Sequence, residues 1–487
     1  MPPFSRRRFL EDSMFAASAA LAMSAAGELV AAEDAPVQGA SANERLSVAI
    51  IGAGGRGGSH IGHFRERKDA AITYLCDADE QRAQAHMDEV EKSQGHRPKY
   101  VQDMREVFDD PSVDIVTTAT PNHWHALVSI WAMQANKDVY VEKPVSHNVS
   151  EGRRMVEAAR KYGRICQTGT QCRSMPGTYK AIEFIRQGGI GELKIARGLC
   201  YKRRDSIGPR GCYPWPKSVD YNLWCGPSPL EPLTRERLHY DWHWQWAQGN
   251  GDLGNQGIHQ MDIARWGIGV DRLSEGVLSY GGRFGYEDAG EVANTQIVEH
   301  IYGDKKLIFE VRGLETEALR GAKVGVIFEG TAGYVVNDGY NHSTAFDLDG
   351  KVIQEFKGPG GDGVHYENFV RAVRSRNYQE LNADIEQGHL SSALCHLGNI
   401  SMQLGEHLNA PDCESYLSGQ HIDLETWDRF KGHLSERGVD LGKAKLWCGI
   451  PLKIDADNES IPGHEQAQAM LTREYRKPFV VPAAGQV

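Results

Sequence analysis

The chain reads as an α/β protein: a doubly wound parallel sheet at the N-terminal side, then an α+β domain built on a large, mainly antiparallel sheet. Three observations predict it. Short β-rich runs alternate with helical patterns from Leu46 to Gly169, the rhythm of a parallel sheet covered on both faces. A glycine-rich turn, Gly52 to Gly57, follows the first of these runs directly. Beyond Gly169 the runs lengthen and the intervening helices become sparse, as expected of antiparallel pairing.

Before the first run, SRRRFL at Ser5 to Leu10 precedes an uncharged, alanine-rich stretch from Met14 to Ala26. Paired arginines, a short apolar segment and small residues after it fit a twin-arginine export signal over 1–32, and the apolar part is too short to span a bilayer. Residues 33–45 read as a small-residue linker. Strands are expected at 46–51, 71–77, 99–101, 113–120, 138–144 and 164–169, with helices near Asp79, Asp103, His123 and Ser150, where Asp and Ser offer caps. Six such strands complete a Rossmann nucleotide-binding domain over 46–169. A second, α+β domain is expected over 170–409. It has a helix at 176–187, strands in ELKIARGLCYKRR, TQIVEHIYG, KKLIFEVRG and KVGVIFEG, and helices at 365–376 and 383–404. A C-terminal extension, 410–487, contains a helix near 424–437 and has no readable role.

The formal net charge is -11 over 487 residues, with no basic run after the leader. Nucleic-acid binding and, for the mature chain, membrane binding therefore lack electrostatic support, which leaves a small polar substrate. Nine cysteines without a CxxC pair match neither a disulfide framework nor a zinc site. Cys76, Cys166, Cys172 and Cys395 are expected to be packing residues, and Cys200, Cys212 and Cys225 leave a late bridge open.

The glycine turn carries the first chemistry. Gly52, Gly54 and Gly57 stand between a buried strand and a helix, the context in which the motif lets a pyrophosphate approach the backbone and the helix N-terminus. Asp77, at the tip of the second strand, is placed to hydrogen-bond an adenosine ribose, which favours NAD over NADP. Arg56, inside the loop, is a candidate phosphate contact. TATPNHWH (118–125) and VEKP (141–144) end the fourth and fifth strands, at the sheet edge where ligands bind in this architecture. Thr120, Pro121, Asn122 and His125 from the first, and Glu142 and Lys143 from the second, are expected to meet the cofactor. Gln171, just after the sixth strand, is expected there too.

GDLGNQGIHQMD (251–262) leads into a helix. The glycine loop, EKP and GxHxxD elements, in this order over Leu46 to Leu404, resemble the Gfo/Idh/MocA oxidoreductases. That resemblance implies NAD as cofactor, a sugar or sugar derivative as substrate, and Lys143 and His259 as the pair that meets the sugar beside the nicotinamide. The chemistry is coherent: removing hydride from a carbinol requires its hydroxyl proton to leave, a neutral imidazole can take it, and an ammonium stabilises the oxyanion. Where the family often has aspartate four residues before the histidine, this chain has Asn255, which can bond substrate but cannot take a proton.

His243, in the aromatic run YDWHWQW (240–246), is expected to help wall a sugar pocket, and Asn255, Tyr201 and Arg173 are further candidate substrate contacts. Asp262 either orients His259 or is structural. His365, Asn368, His389, His396 and Asn399 read as packed helix residues, and no metal site is expected. The functional expectation is a sugar-oxidising enzyme with tightly bound, internally recycled NAD. Alternatives are an NAD-dependent glycosidase working by transient oxidation and elimination, and a non-catalytic nucleotide- or sugar-binding protein. Export through the twin-arginine route to the periplasm, and a homo-oligomer formed through the open face of the second sheet, complete the expectations.

Overall fold

The computed structural model describes residues 45–487. The expected export signal and all but the last residue of the linker lie outside the described residues. Six strands, β1 (Leu46–Ile51), β2 (Ala70–Cys76), β3 (Lys99–Val101), β4 (Ile115–Thr118), β5 (Asp138–Val141) and β6 (Cys166–Thr168), pair in parallel in the order 3-2-1-4-5-6. The first chain reversal therefore falls between β1 and β4, so the turns leaving these two strands flank one crevice. Val48, Ala49, Ile50 and Ile115 are fully buried, which is why these strands read as continuous apolar runs rather than alternating ones.

Helix capping agrees with the sequence in part. Asp79 caps the helix Glu80–Gln94 by accepting from the Gln81 N–H at 3.2 Å. The helix Val149–Tyr162 is capped by Asn148, not Ser150, because the Asn148 side chain reaches the Glu151 N–H at 2.9 Å.

The second sheet is mixed and mostly antiparallel. Its strands are β7 (Leu193–Tyr201), β8 (Gly276–Gly282), β9 (Thr295–Tyr302), β10 (Lys305–Arg312), β11 (Val324–Gly330), β12 (Gly333–Asn337), β13 (His342–Asp347), β14 (Val352–Lys357), β15 (Glu406–Leu408), β16 (Leu446–Cys448) and β17 (Leu452–Lys453). They run in the order 14-13-12-11-7-10-9-8-16-15, with β17 added to β8; β7 and β10 are the parallel pair.

One face of this sheet is covered by the helices Pro176–Arg186, Gly257–Ile268 and Ile385–Gln403, through Phe309, Phe328, Met261 and Leu394 among others. The other face is partly covered by the C-terminal extension. Helices Ala410–Ser418 and Leu424–Glu436 lay Cys413, Leu417, Trp427 and Phe430 on Tyr280, Ile297 and Ile308. Each large apolar side chain buried there contributes about 1.5–3 kcal/mol. The extension is thus an integral layer that also supplies β16 and β17, and it occupies part of the face expected to be free for an oligomer contact. All nine cysteines are free thiols, so Cys200, Cys212 and Cys225 form no bridge. Among the described residues no helix is long and apolar enough to cross a membrane, and no cluster of metal-ligating side chains exists.

Candidate active site

A cleft of about 660 Å³ follows the carboxyl edge of the parallel sheet and ends against the second domain. At one end the glycine turn forms its floor. Gly52 has a φ of 85°, and a Cβ there would sit 2.8 Å from the backbone of Ala119 and Thr120, so only glycine lets the turns after β1 and β4 touch. Gly57 does not line the cleft; it packs the helix Arg56–Glu66 onto the turn, where a Cβ would fall 1.8 Å from the Gly52 carbonyl oxygen. Gly54 faces the cleft and carries the Arg82 side chain against it.

At the tip of β2, the Asp77 carboxylate accepts from the N–H groups of Ala53 and Asp79, both at 2.9 Å. Burial raises its pKa, and these two backbone donors oppose the rise. Held this way, the carboxylate fits the ribose role. The Arg56 Nη2 has no protein partner, and a backbone cradle that excludes any Cβ lies beside it. This donor set fits a dinucleotide.

The middle of the cleft is organised around Glu142. Its Oε1 accepts from Arg56 Nε at 2.9 Å and lies 3.1 Å from His60 Nε2; Arg56 also reaches Asp362 at 2.5 Å. Burial works to raise the Glu142 carboxyl, but the His60 hydrogen bond and the charges of Arg56 and Lys143 outweigh it and hold it well below the usual carboxylate range. The ring nitrogens of His125 lie 2.6 Å from the Pro144 carbonyl and 2.7 Å from that of Thr120, so this ring ties the VEKP turn to the TATPN turn. Asn122 lines the cleft but gives its amide to Asn250 at 3.0 Å.

Lys143 and His259 both line the cleft where the two domains meet. Lys143 Nζ donates to the backbone carbonyl of Asn255 at 2.8 Å, which leaves the ammonium further protons for a ligand. Burial lowers its pKa, with Glu142 opposing and Arg56 reinforcing the shift. Burial and the Lys143 charge hold His259 well below the usual histidine range, and its Nδ1 has no partner. An uncharged imidazole with an unused nitrogen beside an ammonium is an acceptor and donor pair suited to one hydroxyl. Gln171 also lines this region with its Oε1 unpartnered. Asn255 lines it too, its amide turned toward Asp252 at 3.3 Å.

The aromatic run divides. Tyr240, Trp242 and His243 line the cleft, with the His243 and Trp242 rings stacked at 3.7 Å, whereas Trp244 packs into a separate cluster with Ile207 and Val292. Burial brings His243 down to about 3, so it is neutral.

Two expected substrate contacts are corrected. Tyr201 points away from the cleft and donates to Glu310 at 2.6 Å. There it joins Arg197, Arg312 and Arg429 around one carboxylate between the sheet and the extension. The strand's alternation sends it to the outer face. Arg173 is spent on a bidentate pair with buried Asp262, 2.8 to 3.0 Å, and Asp262 also accepts from Ser391 at 2.7 Å. Asp262 is therefore structural and does not orient His259. His365, His389 and His396 bond to Thr168 and Ser174, Glu459 and Ser146 respectively, as packed residues do.

Sequence reasoning missed several cleft residues. Tyr340 lines it, its ring 5.2 Å from that of His259 and its hydroxyl accepting from Gln256 at 2.8 Å. It comes from the β12–β13 turn, which carries no motif. His60, one turn along the first helix, does not line the cleft but holds Glu142 from behind at 3.1 Å, and an unflanked histidine on an apolar face gave no signal. Arg82, His239 and Phe479 also line the cleft; only the fold brings them there.

Residues 46–170 match the model of the oxidoreductase family's NAD-binding Rossmann fold, and residues 210–425 match that family's C-terminal alpha/beta domain. A levoglucosan dehydrogenase of Pseudarthrobacter phenanthrenivorans is 30% identical over 178 residues, 36% of this chain and 38% of that protein. A glycosyl hydrolase family 109 protein 2 of a Shewanella species (strain ANA-3) is 31% identical over 208 residues, 40% of this chain and 45% of that protein. The chain thus spans less than half the length of these curated relatives. The solved structure of a levoglucosan dehydrogenase in complex with NADH and levoglucosan shares the fold, with a TM-score of 0.56 at 18% identity over 72% of this chain and 95% of that one. With the two family matches together spanning more than half of its length, and with the glycine turn, Asp77, Lys143 and His259 ordered along one cleft, the chain belongs to the Gfo/Idh/MocA oxidoreductase family and its N-terminal domain is an NAD-binding Rossmann domain.

Proposed function

We propose that the protein oxidises a secondary hydroxyl of a sugar or sugar derivative with an NAD that stays bound and is re-oxidised in place by a second carbonyl compound. The observation that carries this reading is the convergence of Lys143 and His259 on the cleft between the domains, the first bonded to Asn255 and the second uncharged with an unused nitrogen. When bound, the nicotinamide supplies the hydride acceptor. Lys143 donates a hydrogen bond to the substrate oxygen and stabilises the negative charge that grows there. The hydroxyl proton passes to His259, whose neutral imidazole is ready to accept it at neutral pH. Trp242 offers an indole face for the apolar C–H side of a pyranose. The levoglucosan dehydrogenase relatives support a sugar as the substrate class.

A glycosidase outcome is the second reading, favoured by the glycosyl hydrolase family 109 relatives. The carboxylates lining the cleft do not supply the usual two-carboxylate mechanism: Glu142 is tied to Arg56 and His60, Asp77 to two backbone N–H groups, and Asp103 to Arg105. Glycoside cleavage here would run through transient oxidation and elimination. Incubation with a glycoside in deuterated water separates the two. Ring deuterium with released aglycone and no added acceptor supports the glycosidase route; oxidised sugar coupled to acceptor reduction, without ring deuterium, supports net oxidation. Export of the loaded, folded chain by the twin-arginine route is part of the proposal, supported by SRRRFL and by the need for a captive cofactor outside the cytoplasm. The homo-oligomer is proposed through the outer sheet face that the extension leaves open, near β11 and β12.

A further inference from the structure

The far end of the cleft, beyond Asp77, is roofed by chain segments that lie far apart in sequence. Between β7 and the helix Gly251–Asn255, residues 202–250 leave the second domain and cross to the nucleotide-binding domain. They dock on the turn that holds Asp77. Val219 bridges to Asp79, the Asp220 N–H donates to the Ala78 carbonyl at 2.8 Å, and the Glu80 N–H donates to the Ser218 carbonyl at 3.1 Å. The His239 Nε2 lies 2.8 Å from the Asp79 carboxylate. Farther along, the Trp124 indole N–H meets the carbonyls of Leu223 and Trp224 at 3.0 and 3.1 Å. Gly226 fits only because it lacks a Cβ, which would lie 2.2 Å from the Trp124 ring.

The end of the chain then closes over this seat. Arg476 donates to the carbonyls of Asn222 and Gly226 at 2.7 and 3.0 Å. Phe479 inserts against Trp124 and Trp131, ring centroids 5.4 and 6.5 Å away, and is 2% exposed while lining the cleft.

We infer that the 202–250 excursion, latched at Asp79 by His239 and backed by Phe479, is a retention strap that closes behind the adenosine half of the dinucleotide. The inference rests on the reading of the cleft as an NAD site and deepens it by naming what keeps the cofactor from leaving. Release then requires lifting the strap from the Asp77–Asp79 turn. His239 and Phe479 are positioning residues: His239 bonds Asp79, and Phe479 packs on Trp124 and Trp131.

The test uses the full chain loaded with NADH. Bound NADH is chased with excess NAD and the loss of its fluorescence is followed in the wild type, His239→Ala, Phe479→Ala and the double variant. The expected result is slow release from the wild type and release faster by about tenfold or more in each variant, the change a lost charge-assisted bond or aromatic contact supports. Phe479→Tyr, which keeps the ring, should restore slow release. Unchanged release rates in folded His239→Ala and Phe479→Ala proteins would overturn the strap, and if Phe479→Ala does not fold, His239→Ala decides alone. Release from the wild type within seconds would overturn it too. Because release is read without a sugar, failure of the strap is distinguishable from failure of the substrate assignment, which would show as slow NADH release with no sugar oxidised.

Discussion

Replacing Lys143 with Met keeps the length of the side chain and removes its charge, and the consequences separate into two. The first is on the chemical step. Lys143 spends one bond on the Asn255 carbonyl, 2.8 Å away, and its remaining protons are cationic donors on the cleft that His259 also lines. Removing one donor to a developing oxyanion costs about 2.7–4 kcal/mol, or roughly a hundredfold to a thousandfold in kcat. The second is on the partner. The Lys143 charge is, after burial, the main influence holding His259 below its ordinary range, so its removal lets the imidazole pKa rise. The acid limb of the pH profile, which marks loss of the neutral imidazole, should therefore move to higher pH in the variant. The assay is kcat/KM for a sugar substrate across acid to neutral pH, with nucleotide content measured in parallel and expected to be unchanged. A variant that retains more than about a tenth of wild-type turnover, or whose acid limb does not move, would refute the assignment of Lys143 and its coupling to His259.

Other expectations follow from the same structure. Glu310→Ala leaves Arg197, Arg312 and Arg429 around an empty position and should cost about 3–5 kcal/mol in urea unfolding; a loss under about 1 kcal/mol would contradict the view that this network joins the extension to the sheet. Gly57→Ala places a methyl 1.8 Å from the Gly52 carbonyl oxygen, so it should abolish NADH binding in titration; near-normal affinity would contradict the packing. His123 and His365 are held to about 4, and His300 and His396 to about 3, by burial. Their folded pKa values are depressed, so their contribution is full above the unfolded value of about 6.5 and is lost as pH falls, at about 1.4 kcal/mol per pH unit for each. Tm should drop steeply between pH 6.5 and 4, and a flat Tm across that window would contradict it.

The nucleotide-binding half was legible because its signals are local. Buried parallel strands are continuous apolar runs, and glycines needed for a turn or a close approach stand at fixed offsets, so β1 through β6, the Gly52 turn and Asp77 could be placed from sequence. Lys143 and His259 were legible through the EKP and GxHxxD elements. What failed depended on which face of a strand meets which layer. Tyr201 ends a strand that is buried on both faces, so alternation could not choose its side, and it lies on the outer face with Glu310. Arg173 looked free because its partner Asp262 is 89 residues away. The extension gave no motif, since its role is to cover Tyr280, Ile297 and Ile308 and to bring Phe479 back to the cleft, and both are properties of the assembled layers.

The most direct test of the account is a single-turnover measurement on the protein as purified, with no cofactor added. Sugars and glycosides are offered in turn while nicotinamide absorbance is followed. With the true substrate the absorbance should rise by the amount of bound nucleotide and fall again on addition of a keto sugar, and no rise should occur in His259→Ala although that variant holds the same nucleotide. Protein that carries no nucleotide and oxidises sugar only with added NAD, or a His259→Ala variant that reduces its cofactor as the wild type does, would contradict it.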